Sequence, residues 1–74
     1  MVTVYTKYGC PQCDITKKVL TENGVKFNTI NVQDDEDAFN YVKDELGFSS
    51  LPVIVAEGHE PFSGFRPDIL LMLK

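Results

Sequence analysis

Apolar and polar positions alternate along the chain with a period that changes every few residues, and each change marks an element. Val2-Thr3-Val4-Tyr5-Thr6 is β-branched and aromatic almost throughout and predicts a first strand. From Pro11 to Asn23 the apolar positions Ile15, Val19 and Leu20 mark one helical face, and Gly24 is the natural stop. Lys26 to Val32 carries Phe27, Ile30 and Val32 in imperfect alternation, which predicts a second strand. The acidic run Asp34-Asp35-Glu36-Asp37 sits where negative charge is favourable, at the start of a helix with Ala38, Phe39, Val42 and Leu46 at helical spacing. Gly47 ends that helix. The acidic run lacks the spaced ligands and central glycine of a calcium loop, so it reads as a solvated helix start. Pro52-Val53-Ile54-Val55-Ala56 is continuously apolar, as a strand buried on both faces should be. Glu57 to Glu60 is a turn, with His59 at its exposed tip, leading to a short return strand near Pro61 to Gly64. Pro67 and Asp68 open a last helix, with Ile69, Leu70, Met72 and Leu73 behind them, running through Lys74.

The order is βαβαββα. Its first half is a parallel crossover, right-handed by the general rule, and its second half adds an antiparallel hairpin and a helix. The fold class that follows is α/β, a four-stranded mixed sheet with three helices in one domain over residues 1–74. A chain of 74 residues has no room for a second domain, and a core of this size needs unusually good packing or a staple. Hydrophobic content of 43%, with five Phe and three Tyr, is enough to build that core. Seven basic against eleven acidic residues leave a net charge of −4, which argues against nucleic acid or an anionic membrane as a partner. No secretory pattern opens the chain, and no apolar run approaches the roughly 18 residues of a membrane helix. A cytoplasmic protein is expected.

The chemistry lies in Cys10-Pro11-Gln12-Cys13, which holds both cysteines of the chain. A C-x-x-C that follows a strand and opens a helix reads as a redox motif. With Cys10 at the N-cap, Pro11 falls at the first helical position, where its fixed φ suits the helix and its missing N–H is not needed. The amides of Gln12 and Cys13 then point toward the Cys10 sulfur as they would toward an N-cap hydroxyl. The helix dipole adds to this, so the Cys10 thiol is expected to ionise below the roughly 8.5 of a free thiol. Lys7, Lys17 and Lys18 favour the thiolate, and Asp14 mildly opposes it. Cys13, one turn inside, has fewer free donors and less exposure. Cys10 is therefore read as the nucleophile and Cys13 as the thiol that resolves the mixed disulfide.

Two other uses of the pair compete with this one. A structural staple across four residues removes only about 2 kcal/mol of chain entropy, and staples normally join distant segments. A zinc or iron–sulfur site wants roughly four ligands, while one chain offers two thiolates and a distant His59. A metal module is left only the route of a cluster shared by two copies. In a reducing cytosol a C-x-x-C is expected to cycle instead of resting as a permanent bridge.

The element order, the C-x-x-C after the first strand and Leu51-Pro52 opening the third strand together resemble the thioredoxin fold in its smallest, glutaredoxin-like form. The resemblance covers essentially the whole chain. It implies a cis Pro52 facing the cysteines, with Leu51 offering backbone groups to an incoming peptide; read by itself, Pro52 is an ordinary strand-starting proline. Thioredoxin places a Trp before C-G-P-C, and this chain has no Trp. Glutathione-dependent glutaredoxins carry C-P-Y-C, Thr-Val before the cis proline, and a Gly-Gly turn followed by acidic residues. Here Gln12, Ser50-Leu51 and Ser63-Gly64-Phe65-Arg66-Pro67-Asp68 stand in those places, and the glutathione contacts are not evident.

Those same residues resemble the NrdH-redoxins, glutaredoxin-shaped proteins that behave like thioredoxins. The marks are C-x-Q-C, Leu-Pro-Val and S-G-F-R-P-D, which stand here as Cys10 to Cys13, Leu51 to Val53 and Ser63 to Asp68. The hexapeptide is the specific one. Phe62 departs from the family, which usually carries Trp there, so an indole N–H contact is lost while aromatic surface remains. The resemblance implies a dithiol donor to a class Ib ribonucleotide reductase, re-reduced by a thioredoxin reductase using NADPH. The flavin and NADPH then belong to that reductase, and no cofactor and no metal is expected on this chain, which is read as a monomer. Cys10 and Cys13 are the implied catalytic pair, supported by Pro11, Gln12, Leu51 and Pro52. Tyr8, Phe62, Ser63, Gly64, Phe65, Arg66 and Asp68 are the implied partner surface. Arg66 is read first as a tie between the last helix and the neighbouring loop, and second as a cationic contact for a partner. A glutathione-dependent glutaredoxin and a non-enzymatic metal or iron–sulfur module are the alternatives.

Overall fold

Val2–Thr6 forms strand β1, which sits inside the sheet because both of its edges find partners. The computed structural model describes residues 2–73. One edge of β1 pairs in parallel with β2 (Phe27–Asn31), Val4 opposite Thr29. The other pairs antiparallel with β3 (Val53–Ala56), Val4 opposite Ile54. A short β4 (Phe62–Ser63) returns antiparallel along β3, giving the order β2-β1-β3-β4. Parallel pairing of consecutive strands requires a crossover, and α1 (Pro11–Glu22) supplies it. Helix α2 (Glu36–Asn40) lies between β2 and β3, and α3 (Pro67–Leu70) follows the hairpin. The mixed four-stranded sheet with three helices is the architecture that the sequence predicts.

Strand periodicity divides the core between the two faces of the sheet. Val2 and Val4 of β1 and Ile54 and Ala56 of β3 pack with Leu20, Val25, Leu70 and Leu73. Val53 packs on the other side with Val32, Ala38 and Val42, and Tyr5, Val55 and Phe48 lean on that cluster. Because β3 is covered on both faces, it has no polar alternation, which is why 53–56 is apolar without interruption.

Helix α1 buries only part of the face its apolar residues mark: Leu20 is in the core and Val19 packs against it, while Ile15 is turned out and Cys13 and Thr16 lie inside. Cys13, Thr16 and Leu20 are its buried residues, Ile15 is 44% exposed and Val19 only half-buried. Seating Cys13 against the sheet selects the line three and seven residues further on, and Thr16 and Leu20 lie on that line. Helix α2 begins as expected, with the Asp35 carboxylate accepting from the amide of Ala38 at 3.0 Å. After Asn40 it widens into a π-helical turn over Tyr41–Glu45, closed by the Leu46 amide donating to the Tyr41 carbonyl at 3.0 Å. Ala38 and Val42 stay buried while Phe39, expected on the apolar face, is 46% exposed. The last helix is shorter than expected. Beyond Leu70 the amides of Met72 and Leu73 donate three residues back, at 2.9 and 3.2 Å, which tightens the turn so that Leu70 and Leu73 both reach the core. Lys74, to which the sequence extends that helix, lies outside the described residues. Among the described residues no helix is long and apolar enough to cross a membrane.

Candidate active site

β1 ends at Thr6, and the loop Lys7-Tyr8-Gly9 turns through a left-handed Gly9, φ +65°, to deliver Cys10 to the start of α1. Cys10 is the N-cap, in extended backbone conformation, and Pro11 takes the first helical position. Of the two amides aimed at the sulfur on paper, that of Cys13 makes the bond, donating to Cys10 Sγ at 3.1 Å. The two cysteines are joined as a disulfide with their Cα atoms 5.2 Å apart. Cys10 keeps a thin edge in solvent, 6% exposed, and Cys13 none. Asp14 is engaged by Lys17 at 3.6 Å, which draws its charge into a local pair on the outer face of α1.

Three separate segments meet at this disulfide. The Leu51–Pro52 peptide is cis, and Cys10 Sγ lies 4.0 Å from the Leu51 carbonyl oxygen. Pro52 is buried, and its carbonyl accepts from the Gly64 amide at 2.8 Å. Gly64 has φ +83°, a backbone shape that L side chains rarely adopt, and a Cβ added there would stand 4.0 Å from Gln12 Oε1. The hexapeptide therefore closes onto the proline loop on one side and onto the C-x-Q-C on the other. Phe62 and Phe65 are half-buried and pack against the core cluster that includes Leu20, Ile54 and Leu70, so they do not form a fully exposed patch.

Arg66 does not make the tie to a neighbouring loop that the sequence reading preferred. It is exposed and donates to the carboxylate of Asp68 at 3.4 Å, within the first turn of its own helix. That guanidinium holds the Asp68 carboxyl below the usual carboxylate range. Among the described residues this guanidinium is partnered only that locally, which leaves it available to an anionic group on another protein. Tyr8 lies on the opposite flank, exposed, its hydroxyl donating to the carboxylate of Asp34 and its amide to Gln33 Oε1 at 3.0 Å. The bond to Asp34 and the negative charge there raise the Tyr8 phenol above its ordinary value.

Two features at the site escaped the sequence. A mainly apolar groove of about 220 Å³, walled by Val32, Phe39, Val42, Phe48 and Leu51, shares Leu51 with the disulfide. Its walls lie within residues 32–51 and come from the end of β2, the second helix and the loop before Pro52, so it exists only once that helix has packed, and no local pattern announced it. Thr16, fully buried one turn after Cys13, is the second, and its three-residue spacing from that cysteine was the available signal. Among the described residues no group of three or more His, Cys, Asp and Glu side chains is placed to hold a metal ion, and His59 sits at the exposed hairpin tip.

A thioredoxin-type sheet that presents a C-x-x-C disulfide at the N-terminus of its first helix, against a cis proline, defines a thiol–disulfide oxidoreductase of the redoxin class. The family model described as Glutaredoxin matches residues 2–60. The glutaredoxin-like protein NrdH of Lactococcus lactis subsp. cremoris is 45% identical over 73 residues, covering 99% of both chains. The gene 56 protein of Mycobacterium phage L5 is 41% identical over 69 residues, 93% of this chain and 67% of the phage protein. Among solved structures, the glutaredoxin-like protein NrdH-redoxin from Escherichia coli superposes with a TM-score of 0.92 at 37% identity, covering 99% of this chain and 93% of that one. The chain belongs to the glutaredoxin family, as one of its NrdH-type redoxins.

Proposed function

We propose that this chain is the dithiol electron donor of a class Ib ribonucleotide reductase, acting in the cytoplasm as a monomer and re-reduced by thioredoxin reductase. The observation that carries the reading is the junction of C-x-Q-C, Leu-Pro-Val and S-G-F-R-P-D around one disulfide through Cys10 Sγ, Leu51, Pro52 and Gly64. The Escherichia coli relative is described as having a thioredoxin-like activity profile on a glutaredoxin-like protein, which supports a reductase and not glutathione as the source of electrons.

In the proposed cycle the Cys10 thiolate, held by the Cys13 amide, attacks one sulfur of the target disulfide. A mixed disulfide forms and the other target sulfur leaves as a thiolate, which takes up a proton. Cys13 gives up its proton and attacks Cys10 Sγ, which releases the second target thiol and closes Cys10–Cys13. Two electrons have then passed to the target. The reductase reverses the change, and its flavin and NADPH belong to it; this chain contributes no cofactor and no metal. Leu51 and Pro52 line the approach of the target backbone, Pro11 and Gln12 shape the helix tip, and Tyr8, Phe62, Ser63, Gly64, Phe65, Arg66 and Asp68 form the rim that meets the partner.

The test is a coupled assay in which the oxidised protein is offered NADPH with thioredoxin reductase or, separately, glutathione with its own reductase. Rapid NADPH consumption in the first arm, with turnover of a class Ib ribonucleotide reductase, is the expected result. Reduction by glutathione alone would turn the reading toward a glutathione-dependent glutaredoxin.

A further inference from the structure

Thr16 Oγ1 is the buried side-chain oxygen for which no hydrogen-bond partner exists among the described residues. The residue is fully buried, and it lies on the same face of α1 as Cys13 and Leu20. Side chains three apart on a helix stack, and each leans toward the N-terminus over the preceding turn. Thr16 therefore leans toward Cys13. A helical threonine has an ordinary outlet, the carbonyl four residues back. Thr21, in the same helix, uses it, donating to the Lys17 carbonyl at 2.9 Å. Thr16 does not, so its hydroxyl is held for something else.

The state of the cysteines supplies the reason. Here both sulfurs are committed to the disulfide, and Cys13 has no proton to offer. A buried polar group left without a partner destabilises the state that contains it. On reduction the S–S bond breaks and two electrons and two protons arrive from a reductant dithiol, which becomes a disulfide. Cys13, with no exposure to water, then carries a weak S–H donor that only a group inside the protein can accept. A hydroxyl both accepts and donates.

We propose that Thr16 is a positioning residue for the resolving thiol: its hydroxyl accepts the Cys13 S–H in the dithiol form and donates to that sulfur as the proton leaves. The hydroxyl then favours the dithiol over the disulfide and readies Cys13 for its attack on Cys10 Sγ. This rests on the dithiol–disulfide cycle and on the resolving role of Cys13, not on the identity of either protein partner.

The test is the redox equilibrium of the whole protein with the dithiothreitol couple, quenched with acid and read by alkylation and mass. Thr16→Val keeps the shape and removes the hydroxyl, and should shift the equilibrium about tenfold toward the disulfide, which is about 30 mV more reducing for a two-electron couple. Thr16→Ser should restore the parent value. Resolution of a mixed disulfide formed at Cys10 should slow in Thr16→Val and recover in Thr16→Ser. If Thr16→Val does not fold, Thr16→Ala carries the same comparison. An equilibrium within twofold of the parent in the hydroxyl-free variant overturns the proposal, as does an equal shift in the Ser and Val variants, which would assign the effect to side-chain packing at this site and not to the hydroxyl. Loss of partner turnover with the dithiothreitol equilibrium and mixed-disulfide resolution shifted as expected would count against the proposed partners and leave this inference standing.

Discussion

Cys10 and Cys13 have the same side chain and differ in what surrounds them. The first sits at a helix cap with an amide 3.1 Å from its sulfur and an edge in water, and the second is enclosed. This asymmetry predicts that Cys10→Ser abolishes disulfide reduction, whereas Cys13→Ser leaves attack intact and traps the target as a mixed disulfide through Cys10. Non-reducing electrophoresis and mass analysis of the trapped peptide check the pair, and trapping through the wrong sulfur would reverse the roles. A second residue-scale prediction concerns Tyr8, whose phenol is raised by its bond to Asp34. A raised phenol means that the folded state holds the proton more tightly. The bond thus contributes in full below the ordinary tyrosine value of about 10 and is lost as the pH rises through the higher folded value. Ultraviolet titration of the parent against Asp34→Asn should show one tyrosine moving down toward that ordinary value. Both cysteine positions were legible as motif residues. The Tyr8–Asp34 bond was not, because it joins residues 26 apart.

At the scale of elements, the strands follow the sequence closely, and the helices begin where it places them but differ in the residues they bury or in the length they reach. A strand has two faces and a period of two, so β-branched runs such as Val2–Thr6 and Val53–Ala56 leave little choice of phase. A helix can roll, and α1 rolls to seat Cys13, which puts Thr16 and Leu20 inside and turns Ile15 out. Leu20→Ala should therefore lower the unfolding free energy by about 2–5 kcal/mol, and Ile15→Ala by well under half as much. Urea midpoints on the two variants decide it, and equal losses would place Ile15 inside together with Leu20. The π-helical turn in the second helix was invisible beforehand because Ala38, Val42 and Leu46, four apart, fit a regular helix equally well. Which spacing is realised depends on how that helix meets Val32, Val53 and the loop before Pro52.

For the molecule as a whole, the sheet and its two packed faces hold the fold, and the disulfide is incidental to it. It closes a ring of only four residues, already ordered by α1, so its removal from the chain-entropy balance is worth no more than about 2 kcal/mol. The reduced protein is accordingly expected to keep its secondary structure and a single cooperative transition, with its unfolding free energy lowered by no more than that amount. Far-ultraviolet circular dichroism and urea titration with and without reductant measure it. Collapse of the fold on reduction would mark the bridge as a staple. The same placement explains how one small domain can cycle between two covalent states: the bond that breaks lies at a helix tip, outside both hydrophobic clusters.

The amino-acid sequence by itself determined the order of strands and helices, the seat of Cys10 at a helix cap and the kind of chemistry, because these depend on local spacing and on backbone preferences a few residues long. Tertiary structure alone decided which residues of α1 are buried, that Gly64 closes onto Pro52 and Gln12, and that Thr16 is enclosed with no hydrogen-bond partner among the described residues. Those outcomes depend on contacts between segments distant in the chain, and the free energy of such contacts exists only once the segments are packed.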